Sequence, residues 1–153
     1  MLWLGLLIVS DFIGRYLNKV DKKGRVSVPA SWRLSLIGKE FSGIIAQSSL
    51  SEKSIDAYPR EYLELLQNKL DLNDPLLEEN EYESTVLFGG SVLSFDSEGR
   101  VILSSSLRAE SNIEAEALFV GMGRRFRIWN PEIFDDYIDR AKLYMDKRRK
   151  NKS

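Results

Sequence analysis

The residues best placed for chemistry in this sequence form two copies of the pattern Asp-x-x-Gly-Arg. The first runs from Asp21 to Arg25 and the second from Asp96 to Arg100. An aspartate at the start of a turn can accept hydrogen bonds from backbone amides, and glycine supplies the left-handed residue that a hairpin return needs. The arginine can bind a phosphate or both acceptors on the major-groove edge of guanine. The pattern predicts two hairpin turns, shaped by Asp21, Gly24, Asp96 and Gly99, whose arginines are candidates for contact with nucleic acid.

The tips of the two turns differ in charge. Lys22 and Lys23 make the first tip basic, whereas Ser97 and Glu98 occupy the same places in the second. The first tip is therefore the better candidate for phosphate contacts. An alternative is that Asp21 and Arg25 merely pair with each other and hold the turn, as exposed ion pairs often do at little gain in stability.

Charge is unevenly distributed along the chain, although the formal net charge is only −1. Residues 12–33 contain six basic side chains and one acidic one, and residues 71–83 contain six acidic side chains and no basic one. Residues 147–153 carry five basic side chains. Because local fields steer an anionic partner, such a chain can still bind DNA. A further basic cluster, with a solvated loop as the alternative interpretation, consists of Arg124, Arg125 and Arg127.

The composition excludes most catalytic chemistry. The chain has no cysteine and no histidine, which rules out disulfides, thiolate nucleophiles, Cys/His zinc sites and histidine-dependent triads. A carboxylate pair of the kind used by glycosidases remains conceivable. The acids, however, concentrate in the linker-like residues 71–83 with no sign of a pocket. We therefore expect a protein that is not an enzyme and uses no cofactor or metal.

The chain repeats itself with an offset of 75 residues. Residues 20–33 match residues 95–108 at six of 14 positions, including Ser31/Ser106 and Arg33/Arg108. Each copy predicts a hairpin followed by a short helix, which spans residues 30–37 in the first copy. Buried strands are predicted at 43–48 and 117–121, and return strands at 54–58 and 126–129. A helix opened by Pro59 ends the first copy, and a helix opened by Pro131 ends the second. We divide the chain into an N-terminal extension (1–11), repeat 1 (12–70), an acidic linker (71–83), repeat 2 (84–146) and a basic tail (147–153).

The first nine residues are apolar apart from Gly5. This stretch is too short to span a bilayer, which needs about 20 residues. It also lacks the basic start and small-residue cleavage site of a signal peptide. We interpret residues 1–11 as an extension or a misassigned start and expect no membrane partner.

These residues resemble the MraZ family of bacterial transcriptional regulators, which has an AbrB-like fold. The resemblance covers residues 12–146. It is carried by the two Asp-x-x-Gly-Arg turns, by Val28-Pro29-Ala30 after the first, by Phe88-Gly89 before the second, and by the sequence Phe126-Arg127-Ile128-Trp129. The resemblance implies a mainly β fold with helices, in which two swapped-hairpin repeats form one pseudo-symmetric β-barrel unit with flanking helices. It also implies ring-shaped homo-oligomers.

The function implied by the resemblance is sequence-specific binding of double-stranded DNA at promoter direct repeats. Such a protein would repress its own division and cell-wall gene cluster and would be cytoplasmic and nucleoid-associated. The DNA-contacting residues would include Arg25 and Arg100, with Lys22 and Lys23 beside the first. Many members have an arginine where this chain has Ile13, so one DNA contact of the family is missing at that position; Arg15, two residues further on, is a further candidate.

The sequence departs from the family pattern at Ser104, and one alternative function stays open. Ser104 stands where many members have a proline, which is expected to loosen the corner between strand and helix. The alternative function is an AbrB-like antitoxin or protein-interaction module. An antitoxin would normally add a disordered neutralising tail, whereas this chain ends in a predicted helix and a short basic segment.

The first testable prediction concerns the N-terminal extension. A chain that starts at Asp11 should fold and bind DNA as the full chain does, because the apolar start lies outside both repeats. Circular dichroism and a gel shift against the gene's own upstream DNA would check this. Unfolding of the shortened chain would mean that residues 1–9 belong to the core.

Overall fold

The computed structural model describes residues 12–152, so the prediction for residues 1–11 lies outside the described residues. The described part is mainly β with helices. Its strands are β1 (Arg15–Lys19), β2 (Arg25–Ser27), β3 (Gly43–Ser48), β4 (Ile55–Tyr58), β5 (Ser91–Ser94), β6 (Arg100–Ile102), β7 (Glu116–Gly121) and β8 (Phe126–Trp129). Its helices are α1 (Ala30–Arg33), α2 (Tyr62–Asp71), α3 (Glu78–Phe88), α4 (Ser105–Ser111) and α5 (Pro131–Asn151), with a 3₁₀ turn at Leu34–Leu36.

The strands form a six-stranded antiparallel sheet in the order β1-β7-β8-β4-β3-β5 and a separate two-stranded ladder, β2-β6. Strands of the two sequence repeats pair with each other at β1–β7, β8–β4, β3–β5 and β2–β6. The expected closed barrel is not found within residues 12–152. The physical reason is that the three-residue strands β2 and β6 pair with each other, so that β1 and β5 remain as open edges of the larger sheet.

The predicted strands in both repeats are confirmed to within one residue at each end. The short helix predicted at 30–37 is instead one α-helical turn followed by the 3₁₀ turn. Helix α5 begins as expected, because Asn130 Oδ1 accepts hydrogen bonds from the amides of Glu132 (2.8 Å) and Ile133 (3.2 Å), with Pro131 at the first position. It continues through most of the basic C-terminal residues to Asn151, where positive charge suits the helix end.

Ser104 closes the corner between β6 and α4. Its side chain accepts a hydrogen bond from the amide of Leu107 at 3.2 Å and is the N-cap of the helix. A serine cap satisfies a helix amide that would otherwise lack a partner. The corner is thus held by a side-chain hydrogen bond instead of by the rigid ring of a proline.

An aromatic cluster lies at the centre of the core, under helix α1. Trp32 is only 3% exposed and its ring contacts those of Phe12, Phe119 and Phe126 at centroid distances of 5.4, 6.3 and 4.9 Å. The indole Nε1 donates a hydrogen bond to the carbonyl of Ile13 at 3.2 Å. Because these partners come from β1, β7 and β8 and their flanks, Trp32 joins α1 to the six-stranded sheet. No helix within residues 12–152 has the length and apolar character needed to cross a membrane.

Replacing Trp32 with alanine should destabilise the protein by about 3–5 kcal/mol, the usual cost of removing a large buried aromatic side chain. The matched control is Leu34→Ala two residues further on, where the side chain is 81% exposed. That change should alter the free energy of unfolding by no more than about 0.5 kcal/mol. Urea unfolding, monitored by far-UV circular dichroism, would compare both variants with the parent. Similar losses of unfolding free energy in the two variants would contradict the placement of Trp32 in the core.

Candidate nucleic-acid interface

The first Asp-x-x-Gly-Arg turn is organised by one carboxylate. Asp21 Oδ1 accepts hydrogen bonds from the amides of Lys23 and Arg25, both at 2.9 Å, and Oδ2 accepts from Arg25 Nε at 2.5 Å. The Gly24 amide closes the turn by donating to the Asp21 carbonyl at 3.0 Å, and Gly24 adopts φ of 86°. The backbone amide of Arg25 is the largest cause of the lowered pKa of Asp21. The turn therefore depends on a charged aspartate and a left-handed glycine, as the sequence predicts.

The second turn repeats the same set of contacts. Asp96 Oδ1 accepts from the amides of Glu98 (2.9 Å) and Arg100 (3.0 Å), and Oδ2 accepts from Arg100 Nε at 2.9 Å. Gly99 has φ of 75°. Hydrogen bonding from the Arg100 amide is again the largest cause of the lowered pKa of the aspartate. Two sequences with different tips thus fold into one turn geometry, because every side-chain contact in this set comes from the shared Asp and Arg, and the differing tip residue contributes only its backbone amide to it.

Each turn is bonded to the opposite repeat. The Gly24 carbonyl accepts from the Leu103 amide at 2.8 Å, and the Gly99 carbonyl accepts from the Val28 amide at 3.2 Å. A side chain at Gly24 would collide with the Leu103 carbonyl, so the close approach as well as the positive φ requires glycine there. The two glycines therefore fix the β2–β6 ladder at both of its ends.

Two arginines that sequence reasoning did not assign support the turns. Arg33 Nη1 donates to the Glu98 carbonyl in the opposite turn at 3.0 Å. Arg108 Nε donates to the Leu103 carbonyl at 3.1 Å, and its guanidinium lies against Gly24. The signal available in the sequence was that both repeats have an arginine at this equivalent position. It did not reveal a role, because each arginine acts on a turn that is distant in sequence.

The β2–β6 ladder has one buried and one exposed face. Val26 and Val101 are opposite each other and almost fully buried. Since side chains alternate along a strand and opposed residues share a face, the outer face carries Arg25 opposite Ile102 and Ser27 opposite Arg100. Arg25 and Arg100 are diagonal neighbours there, a relation in which residues are about 7–8 Å apart and their Cβ atoms are somewhat closer. The ladder thus brings the signature arginines of both repeats onto one surface.

The two arginines are not equally available to a ligand. Arg100 Nη2 forms an ion pair with Glu98 at 2.9 Å in addition to its bond with Asp96. Hydrogen bonding to Asp96 is the largest cause of the raised pKa of Arg100, and the charges of Glu98 and Asp21 also contribute. Within residues 12–152, the Arg25 guanidinium pairs with Asp21 through Nε and with no second carboxylate, and the neighbouring Lys22 and Lys23 are exposed. Arg25 therefore keeps the donor edge that bidentate recognition uses.

Arg15 lies elsewhere. It is on β1 opposite Val120, and its guanidinium stacks 4.9 Å from the ring centroid of Phe134 in α5. The structure therefore places it against the C-terminal helix and does not bring it together with the residues of the β2–β6 face.

The third basic cluster is only partly a solvated loop. Arg127 is buried, donates through Nε to Asp56 Oδ1 at 2.7 Å and through Nη2 to Ser51 Oγ at 3.2 Å. Arg125 lies 3.7 Å from the other oxygen of Asp56, whereas Arg124 is exposed. The interpretation as a solvated loop is wrong for Arg127, because Asp56 comes from β4 beside it in the sheet. Replacing only one partner of such a buried ion pair lowers stability, because the other charge is left buried and unpaired.

Comparison with known proteins agrees with the geometry. The family model described as "MraZ protein, putative antitoxin-like" matches residues 87–152. The chain is 44% identical over 139 residues to "Transcriptional regulator MraZ" of Rickettsia canadensis (strain McKiel), covering 90% of this chain and 93% of that protein. The protein of the same name from Rickettsia bellii (strain OSU 85-389) is 46% identical over 145 residues, covering 93% and 94%.

These relatives assign the chain to a class of transcription regulators, which are not enzymes. The resemblance drawn from the two turns is confirmed: the chain belongs to the MraZ family.

The lowered pKa values of Asp21 and Asp96 predict a specific acid sensitivity. Their contribution to stability is present above the ordinary aspartate value of 3.8 and is lost as pH falls through the lowered folded-state pKa. The double variant Asp21→Asn/Asp96→Asn should therefore show a shallower fall in Tm than the parent between about pH 5 and pH 2.

Asparagine keeps an oxygen that can accept from the turn amides, so this variant removes the charge while preserving the turn. The control is Asp135→Asn, which removes one carboxylate from the exposed side of α5. Thermal melts across the pH range would check the prediction. Parallel curves for the parent and the double variant would show that the turn aspartates do not govern acid stability.

Proposed function

We propose that the outer face of the β2–β6 ladder binds double-stranded DNA in a sequence-specific manner. The observation that carries this proposal is the placement of Arg25 and Arg100, from separate repeats, on one exposed surface. The basic tip at Lys22 and Lys23 borders that surface and adds positive charge where a phosphate would lie. Arg25, which within residues 12–152 pairs with Asp21 and with no second carboxylate, is the better candidate for contact with a guanine edge.

The strand pairing supports a swapped-hairpin, AbrB-like unit as the basis of this surface. Val26 and Val101 occupy the same place in the two repeats and pair with each other. A pseudo-two-fold axis through that pair would relate Arg25 to Arg100, and Gly24 to Gly99. We propose that two hairpins exchanged in this way present two related turns to one DNA segment.

We further propose that several copies assemble into a ring. Strand β1 is an edge of the six-stranded sheet and has exposed apolar side chains at Tyr16 and Leu17, which a neighbouring copy could cover. Copies arranged head to tail present their DNA faces in the same direction, so such a ring suits direct repeats instead of a palindrome. This arrangement fits a cytoplasmic, nucleoid-associated repressor that binds direct repeats in the promoter of its own division and cell-wall gene cluster.

A second candidate is an antitoxin or protein-interaction module. It is favoured by the wording "antitoxin-like" in the description of the family model and by the open sheet edges at β1 and β5. The two proposals differ in their dependence on Arg25, because pairing at a sheet edge does not involve the β2–β6 face.

Replacing Arg25 with alanine should weaken specific DNA binding by about 1–3 kcal/mol, because a bidentate base contact would be lost. Arg100→Ala should weaken it less, since Glu98 already engages the Arg100 guanidinium. Titrations with operator DNA and with scrambled DNA would measure both, beside thermal melts that confirm folding. A folded Arg25→Ala protein with the parent's preference for operator would exclude a role in base recognition.

Lys23→Ala is the matched comparison in the same titrations. It should weaken binding to operator and scrambled DNA alike, because a phosphate contact carries no sequence information. The slope of log affinity against log salt should fall by about one unit for the loss of one phosphate contact. An effect confined to operator DNA would contradict this assignment.

The proposed assembly predicts a native mass that is a multiple of the 17.6 kDa chain at micromolar concentration. Arg25→Ala should leave this mass unchanged, because Arg25 lies on the ladder face and not on the β1 edge. Mass photometry and sedimentation would test both statements. A parent protein that is only monomeric would overturn the ring, and a smaller mass for Arg25→Ala would show that the ladder face joins copies.

A further inference from the structure

An isoleucine lies at one end of the otherwise polar outer face of the β2–β6 ladder. The side chain of Ile102 is 57% exposed although its neighbour Val101 is buried in the core. The rest of this outer face consists of Arg25, Ser27 and Arg100. Ile102 thus contributes nothing to the core from this face, and its apolar surface is left to solvent or to a ligand.

The register holds Ile102 beside Arg25. The ladder hydrogen bonds at Gly24–Leu103 and at Val28–Gly99 make Arg25 and Ile102 a non-hydrogen-bonded pair, the type in which opposed side chains are closest. Any group that binds the Arg25 guanidinium is therefore adjacent to an apolar, β-branched surface. Arg100 is two residues along the same strand and face.

Comparison of the two repeats shows that the ladder does not require isoleucine at this place. The offset of 75 residues makes Ser27 the counterpart of Ile102, and Ser27 occupies the same position opposite Arg100. A small polar residue therefore fits the same strand geometry. The difference makes the two halves of the face chemically distinct: arginine beside isoleucine in one half, and arginine beside serine in the other.

On the basis of the DNA binding proposed above, we propose that Ile102 contacts the C5 methyl group of a thymine adjacent to the base contacted by Arg25, and so selects thymine at that base pair. The thymine methyl is the apolar group on the major-groove edge of a base pair, and protein methyl groups commonly contact it. A second copy of this chain is a poor occupant, because pairing this face with itself would bring Arg25 and Arg100 against the same charges.

The test begins with a duplex selected by the full-length parent protein from a randomised pool. Each thymine in the selected duplex is then replaced in turn by uracil, which lacks only the C5 methyl group. At one position next to the Arg25-dependent base pair, uracil should weaken binding by the parent about fourfold, the value of one buried methyl-sized group. Ile102→Ser should bind the thymine duplex about fourfold more weakly and should not distinguish uracil from thymine at that position.

Two further variants serve as controls. Ile102→Val keeps a branched apolar side chain and should retain discrimination between thymine and uracil. Val92→Ser removes an equally exposed apolar side chain from β5, in the other sheet, and should behave as the parent. Thermal melts should show that Ile102→Ser is folded, as the serine at the equivalent position of repeat 1 indicates.

The possible failures are distinguishable. If the parent selects no sequence from the pool, DNA recognition and the methyl contact are both overturned. If it selects a sequence but uracil affects the parent and Ile102→Ser equally at every position, only the methyl contact is overturned. A changed native mass for Ile102→Ser with unchanged discrimination would assign Ile102 to a contact between copies and would likewise overturn it.

Discussion

The structure depends on the short ladder formed by β2 and β6. Each strand has only three residues, and so brief a pairing is not stable by itself in water. It persists because Val26 and Val101 are buried against the core and because the carbonyls of Gly24 and Gly99 accept amides from the opposite repeat. This ladder therefore joins the two halves of the chain and creates the face that carries both signature arginines.

The aspartate of each turn connects local structure with the proposed DNA-binding face. Its carboxylate satisfies two backbone amides and also holds the arginine through Nε. The pairing of Asp21 with Arg25 is thus compatible with a role in recognition, because an arginine fixed through Nε has less freedom to lose on binding and can still offer its terminal nitrogens. The two interpretations that the sequence left open describe different atoms of one guanidinium.

The sequence by itself determined much of the local structure. The two turns, most strand positions and the start of α5 at Pro131 follow from residues close together in the chain, and the family follows from the spacing of several such local motifs. Aspartate, glycine and proline act on backbone groups within about four positions, so their effects are encoded locally. The role of Asp21 and Gly24 in shaping the first turn could be predicted for this reason.

Only the tertiary structure decided how the two repeats combine. The sequence shows three arginines near residue 125 but not that Asp56 binds Arg127, because 71 positions separate the two residues. Likewise, the exposure of Ile102 beside Arg25 follows from a register between strands about 75 positions apart. Such pairings are selected by which faces can be buried together and by steric fit at Gly24, and neither is a property of any single segment of the chain.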